Sequence, residues 1–265
     1  MNPLNLDTEL LIIEVSGPDA TTYLQGQLTN DILELKHKPY QPTAHLNNKG
    51  RILATFLAIQ VGENHYYLIT SKTIAGTIIT RLKMFVLRSK VSIAQSTQHL
   101  SLQQNCGELS IELSPDFFLI INNSVTTLAE DSNLWHKILI NLGLPMIYAN
   151  TQEKIIPQQI NYDLIGGVNF KKGCYTGQEI VARTHYLGKV KRRLAKFSCT
   201  TQPKIGQPVV SPLLDNQEVG IILDFYQDND QLYQGLVSAQ LDCLAELFLD
   251  NHEQILCTPI APKTE

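Results

Sequence analysis

Residues 171–183 read KKGCYTGQEIVAR, a basic run that sets one cysteine between two glycines. Gly173 and Gly177 lack Cβ, so the backbone here can take left-handed or tight conformations and come close to groups that bulkier residues would keep away. The rest of the chain is best understood as the support of this turn. Cys174 lies near Lys171, Lys172 and Arg183 in sequence, and positive charge beside a thiol favours its thiolate. That makes Cys174 the candidate reactive thiol among Cys106, Cys174, Cys199, Cys243 and Cys257. The alternative on residue types alone is a glycine-rich turn whose cysteine is small core filling.

An odd number of widely spaced cysteines fits neither a disulfide scaffold nor a CxxC metal knuckle, and no metal site can be read from the chain. With 43% hydrophobic and 17% charged residues the composition is that of a soluble globular protein. The apolar run from Leu10 to Ile13 is bracketed by Glu9 and Glu14, too short and too acidic at its flanks for a signal or spanning segment. A cytoplasmic location without membrane contact is the expectation. The net charge of -4 is unevenly distributed. Lys171, Lys172, Arg183, Lys189, Lys191, Arg192, Arg193 and Lys196 are eight of the 21 Lys and Arg and face a single acid, Glu179. Such a run attracts a polyanion, a polyglutamylated cofactor tail or an RNA backbone, unless folding pairs it with acids. Few aromatics lie among these cations to stack on bases, which favours the cofactor tail.

Taken in order, residues 9–15 form an apolar run of strand length. Gly17-Pro18 then starts a helix expected to reach about residue 30. Residues 40–60 flank the Asn47-Asn48-Lys49-Gly50 turn as a hairpin, and 65–70 make a third strand. Ser71 caps a helix on which Ile74, Ile78, Leu82 and Phe85 recur at helical spacing. Strand-like runs follow at 91–94, 108–113 and 117–122. Ser132 is expected to cap a helix that ends at Gly143. Strands and helices interleave, so the fold class is α+β with antiparallel hairpins. Past residue 196 come short β runs separated by turn clusters such as 215–216 and 228–230, the pattern of a small barrel. The division expected is 1–190 for the first region and 191–265 for the barrel.

The cysteine segment, together with YLQGQLTND at 23–31, HLNNKGR at 45–51 and IIPQQINYDLIGGVNF at 155–170, resembles the YgfZ family, folate-binding proteins related to the aminomethyltransferase of the glycine cleavage system. The four blocks occur in the family's order and span most of the chain before its last quarter. The resemblance implies two interleaved ferredoxin-like parts and a C-terminal β-barrel around a central channel. It implies tetrahydrofolate or a related reduced folate, polyglutamylated or not, as cofactor, and iron-sulfur proteins, among them enzymes that thiolate tRNA, as clients. It also implies that Lys172, Gly173, Tyr175, Gly177, Gln178, Glu179 and Arg183 contribute to the cofactor site, with Cys174 as the working thiol. Trp135 falls where the family carries an aromatic in its folate pocket, and a flat indole suits a pteridine ring.

Departures from the wider folate family are informative. Where aminomethyltransferases carry paired aspartates after the hairpin glycine, this chain reads Gly50-Arg51-Ile52-Leu53-Ala54-Thr55. Where relatives carry a glutamate for the pterin's donor edge, it has Asn141, an amide that cannot act as an acceptor-only partner. Glu179 and Asp163 are the candidate replacements. No GxSxG elbow, phosphate loop or histidine pair at ligand spacing is present, and His185 completes no triad with Cys174. A folate-binding accessory factor is therefore the leading expectation, ahead of a folate-dependent one-carbon transferase and an RNA-binding module.

Overall fold

The computed structural model of the chain describes residues 3–107, 109–124, 131–229, 231–249 and 253–260. Its first strands are β1 (Leu4–Asn5) and β2 (Leu10–Ser16), followed by helix α1 (Ala20–Gln27) and the hairpin of β3 (Gln41–Leu46) and β4 (Ile52–Gly62). Then come β5 (His65–Ser71), α2 (Lys72–Met84), β6 (Ser92–Gln95), β7 (His99–Gln103), β8 (Ser110–Ser114), β9 (Phe117–Asn122), α3 (Ser132–Leu142) and α4 (Gln178–Leu187). The remaining strands are β10 (Arg192–Cys199), β11 (Pro208–Ser211), β12 (Gln217–Asn229), β13 (Leu232–Gln240), β14 (Leu247–Leu249) and β15 (Gln254–Pro259). Among the described residues one sheet has the order β3-β4-β5-β2-β6 and another β1-β7-β9-β8, while β10-β13-β12-β11-β14-β15 close into a barrel. No helix among the described residues is long and apolar enough to cross a membrane.

The continuous apolar run along β4 has a direct cause, because its sheet is covered on both faces. Side chains alternate across a strand, so one strand feeds two cores. Ala54, Phe56 and Ala58 of β4, Ile13 and Val15 of β2, and Tyr66 and Leu68 of β5 point into one core, shared with α1 and α2. Leu57 and Ile59, Leu10 and Ile12, and Tyr67 and Ile69 point into the other, shared with β7, β9 and α3. A third cluster fills the barrel.

Local signals account for most element ends. Ser71 Oγ accepts from Thr73 N at 3.3 Å and caps α2, and Gly143 takes φ +64 to close α3. The cap of α3 is Asp131, whose carboxylate accepts from Leu134 N at 3.2 Å, and Ser132 is already helical. The first helix starts at Ala20 and stops at Gln27, short of the expected end, because Leu28 is extended and bridges to His45 of β3. Glu108 and Asp230, expected in a strand and a turn, lie outside the described residues.

Charge ties the barrel to the rest. Asp224 sits at a register shift of β12 with 0% side-chain exposure, and its Oδ1 lies 2.6 Å from His136 Nδ1 on α3. Tyr148 donates its hydroxyl to Asp224 Oδ2 at 3.2 Å, and Glu9 approaches His136 Nε2 at 3.7 Å. Burial alone would depress the His136 imidazolium, but attraction and hydrogen bonding from Asp224, with Glu9 adding to them, push it up to about 10. Asn133 reinforces the same seam, donating to Gln227 O and accepting from Gln227 N.

A histidine raised in the folded state stabilises it fully below the ordinary pKa of 6.5, and that contribution fades as pH rises towards about 10. Denaturant titrations from pH 6 to pH 10 should therefore show falling stability, and His136→Gln should flatten the slope. Asp224→Ala should cost about 3 kcal/mol, the low end for unpairing a buried ion, because His136 keeps 14% exposure.

Candidate functional site

The C-terminus of a helix leaves carbonyls without partners, and at α1 they are buried. Groups from two other segments take them. Lys172 Nζ donates to Gln25 O at 2.8 Å, Leu28 O at 2.6 Å and Asn30 O at 2.9 Å, using all three of its N–H bonds. Thr176 N donates to Gly26 O, His45 Nδ1 lies 3.0 Å from Gln27 O, and Asn169 N donates to Thr29 O. Every carbonyl from Gln25 to Asn30 is thereby accounted for. The positive charge also meets the negative end of the helix dipole. Burial lowers the Lys172 ammonium to about 8, with the Asp31 carboxylate acting against the fall, so it stays mainly charged at pH 7. Its Nζ stands 5.2 Å from the ring centre of Tyr175.

Glycines fit the cysteine segment against the hairpin. Gly177 precedes α4 at φ +80, and a Cβ there would lie 2.4 Å from Asn47 O. Gly50 has φ +70, and its Cβ would meet Ile180 Cβ at 2.8 Å. Asn47 Oδ1 closes the turn by accepting from Lys49 N and Arg51 N. Gly173 differs, because a Cβ there would meet open space and its φ is not left-handed. The special backbone expected of both glycines is required at Gly177 alone.

Lys172 and Tyr175 are buried while Gly173 and Cys174 between them are exposed. The loop is pinned at two points and displays the thiol outward. Lys172 has no N–H left for that thiol. Gln178 lies half-buried in the first turn of α4, and Glu179 and Arg183 stand exposed one turn apart. Trp135 is 1% exposed within the second apolar core, so it presents no face to a ligand. Its expected stacking role is replaced by packing. Neither expected replacement carboxylate points inward unpaired: Arg193 NH1 binds Asp163 at 2.6 Å, and Glu179 faces outward.

The basic run divides in two. Lys172 and Arg193 are committed as described, Lys196 Nζ donates to Asn141 O, and Arg192 donates to Glu218 O. Lys171, Arg183, Lys189 and Lys191 form no ion pair among the described residues.

Sequence reasoning missed a polar group where α1, β3 and α2 meet. Among the described residues Gln27 Oε1, His45 Nε2 and Arg81 Nε are buried without hydrogen-bond partners, as are Gln41 Oε1, Thr70 Oγ1 and Gln158 Oε1. His45 faces a carbonyl through Nδ1, which must therefore carry the proton. Burial pulls its imidazolium down to about 4, the Gln27 carbonyl acting against this and the charge of Arg81 with it. The ring is neutral at pH 7 and Nε2 is a bare acceptor. Two acceptors and one donor are thus left open, each at a cost of about 1 to 3 kcal/mol. A histidine inside the otherwise apolar stretch AHL of β3 was the available signal.

The model of the GCVT N-terminal domain matches residues 8–113. The tRNA-modifying protein YgfZ of Colwellia psychrerythraea is 30% identical over 262 residues, covering 84% of this chain and 81% of that protein. The tRNA-modifying protein YgfZ of Hamiltonella defensa is 32% identical over 254 residues, with 80% and 75% covered. The glycine cleavage system aminomethyltransferase T of Bartonella henselae shares the fold with a TM-score of 0.68 over 99% of this chain and 86% of that one, at 13% identity.

Gly177→Ala should lower stability by more than about 1 kcal/mol, since it adds left-handed strain to a backbone clash, while Gly173→Ala should change it by less than about 0.5 kcal/mol. Lys172→Met strips three buried carbonyls of their donor and should cost about 3 kcal/mol. Chemical denaturation of the three variants beside the parent chain checks this order.

Proposed function

Because the chain belongs to the YgfZ family, we propose that it is a folate-binding accessory protein for tRNA modification, supporting assembly or repair of the iron-sulfur enzymes that thiolate tRNA. Membership alone brings the tRNA-modification part, since that is what the relatives are named for. The observation that carries the cofactor is the open set of Gln27 Oε1, His45 Nε2 and Arg81 Nε. A pterin edge presents N–H donors beside a carbonyl acceptor, the complement of two acceptors and one donor. All three atoms are as closed to solvent as Trp135, so Gln27 and His45 would accept from the pterin, and Arg81 would donate to it, only after α1 and α2 part to admit the ring. A neutral pair of acceptors then stands in for the carboxylate that Asn141 cannot supply. When bound, a reduced folate supplies a carrier of one-carbon units and reducing equivalents. Gln178, Glu179 and Arg183, on the first turns of α4, belong on this reading to the outer part of the same site, next to the thiol of Cys174.

A transferase is the weaker reading. Ile52, Leu53, Ala54 and Thr55 of β4 are buried and none carries a carboxylate to hold against a reacting folate nitrogen. Cys174 serves client handling in this proposal, because an exposed thiol on a pinned loop can reach a partner protein, and sulfur is a soft ligand for iron.

Titration calorimetry with tetrahydrofolate tests the cofactor. His45→Leu should weaken binding about ten-fold or more while the melting temperature changes little, because the substitution removes a buried unpaired atom and, against that, the Nδ1 donor of the Gln27 carbonyl. Unchanged affinity would move the pterin elsewhere, and absence of binding to the parent chain would end the cofactor assignment. Cys174→Ser should retain folate affinity and fail to restore tRNA thiolation in cells lacking the native protein. Full restoration by the serine variant would remove the thiol from the function.

A further inference from the structure

The end of α4 carries a second surface that meets the proposed cofactor site only at Arg183. His185 lies flat on Phe170, ring centres 3.7 Å apart with 15° between planes. Tyr186 meets His185 edge-on at 4.7 Å and Phe170 at 6.2 Å. The helix end is thereby folded back onto the strand of chain that leads into the cysteine segment. Tyr186 nevertheless keeps 65% of its surface exposed, and its neighbour Leu187 keeps 84%. A large aromatic held by two others yet open to solvent loses little side-chain freedom when something stacks on it.

Its surroundings are cationic. Lys171, Arg183, Lys189 and Lys191 flank these rings in sequence, all four are exposed, and none forms an ion pair among the described residues. Cations kept apart from acids while their neighbours Lys172, Arg193 and Lys196 are tied down form a charge pattern that faces outward only. Fixed stacking surface beside unpaired positive charge is the composition of a single-strand nucleic-acid platform.

We propose that the Phe170–His185–Tyr186 stack and the four free cations bind single-stranded RNA, a base stacking on Tyr186 and the phosphates meeting Lys171, Arg183, Lys189 and Lys191. A duplex buries its base faces and cannot use Tyr186, so the occupant is a loop or an unpaired end. The choice of RNA over DNA rests on the tRNA-modification reading. The stacking chemistry itself is common to both.

The test is fluorescence anisotropy of a labelled twelve-nucleotide RNA with the full chain, repeated with the same sequence as a duplex and as single-stranded DNA. Single-stranded RNA should bind tightest, with a slope of roughly −3 in log affinity against log salt if about four phosphates are neutralised. Tyr186→Ala should weaken it about ten-fold while Tyr186→Phe retains it, both melting with the parent chain. Lys189→Gln with Lys191→Gln should reduce the slope by about 1.4. Equal affinity for duplex and single strand, or an unchanged Tyr186→Ala, would overturn the stacking site, and equal affinity for DNA would overturn the choice of RNA. Displacement of the RNA by pteroylpolyglutamate would assign the surface to the cofactor tail instead. Tetrahydrofolate calorimetry on Tyr186→Ala separates the two readings. Retained folate binding with lost RNA binding supports the platform, and joint loss would place Tyr186 in the cofactor site and overturn it.

Discussion

One buried ammonium, that of Lys172, closes on the carbonyls of Gln25, Leu28 and Asn30, and the arrangement of the site depends on it. A helix end inside a protein needs donors that water cannot deliver, and α1 has no basic residue in its own last turn to supply them. A compact ammonium with three N–H bonds suits three converging oxygens, whereas a planar guanidinium directs its donors into one plane. The cost of burying that charge, visible in the lowered pKa of Lys172, is offset by filling every donor and by the helix dipole. The cysteine segment is therefore fastened to the first helix before any ligand is considered.

The same fastening decides what is displayed. With Lys172 and Tyr175 held inside, the two residues between them have to face outward, so the exposure of Cys174 follows from its neighbours. Gly177 and Gly50 then bring the segment and the hairpin within backbone contact, which no residue with a Cβ would permit at either position. Rigidity around the loop and access at its tip have one cause. The seam of His136, Asp224 and Tyr148 plays a comparable part for the barrel, adding a buried charge pair to the apolar core that Leu194, Ile221, Leu223, Tyr226 and Leu236 of the barrel share with the first sheet.

Against this background of satisfied groups, unpaired atoms stand out. The chain supplies a partner for each carbonyl from Gln25 to Asn30, yet leaves Gln27 Oε1, His45 Nε2 and Arg81 Nε open nearby. Buried polar atoms are rarely left so, and a site for a ligand is one reason to tolerate them. At the surface the contrast is between cations that folding consumed and cations that it left free.

The sequence by itself determined the α+β class, the hairpin about Asn47 to Gly50, the cap at Ser71, the stop at Gly143, the barrel pattern and the four blocks that mark the family. All of these rest on interactions within a few residues, or on spacing, where the chain's own order states who meets whom. It could not tell that Trp135 is core, since a helix face has no label for the sheet it will meet. Nor could it tell that Lys172 serves a helix 142 to 147 residues earlier in the chain, that Asp163 is spent on Arg193, or that His45 keeps an open nitrogen. Cations look alike in a sequence, and so do carboxylates. Which of them are consumed by the fold and which remain for function was decided by tertiary structure, because only folding brings distant groups within hydrogen-bonding distance and excludes the water that would otherwise satisfy them.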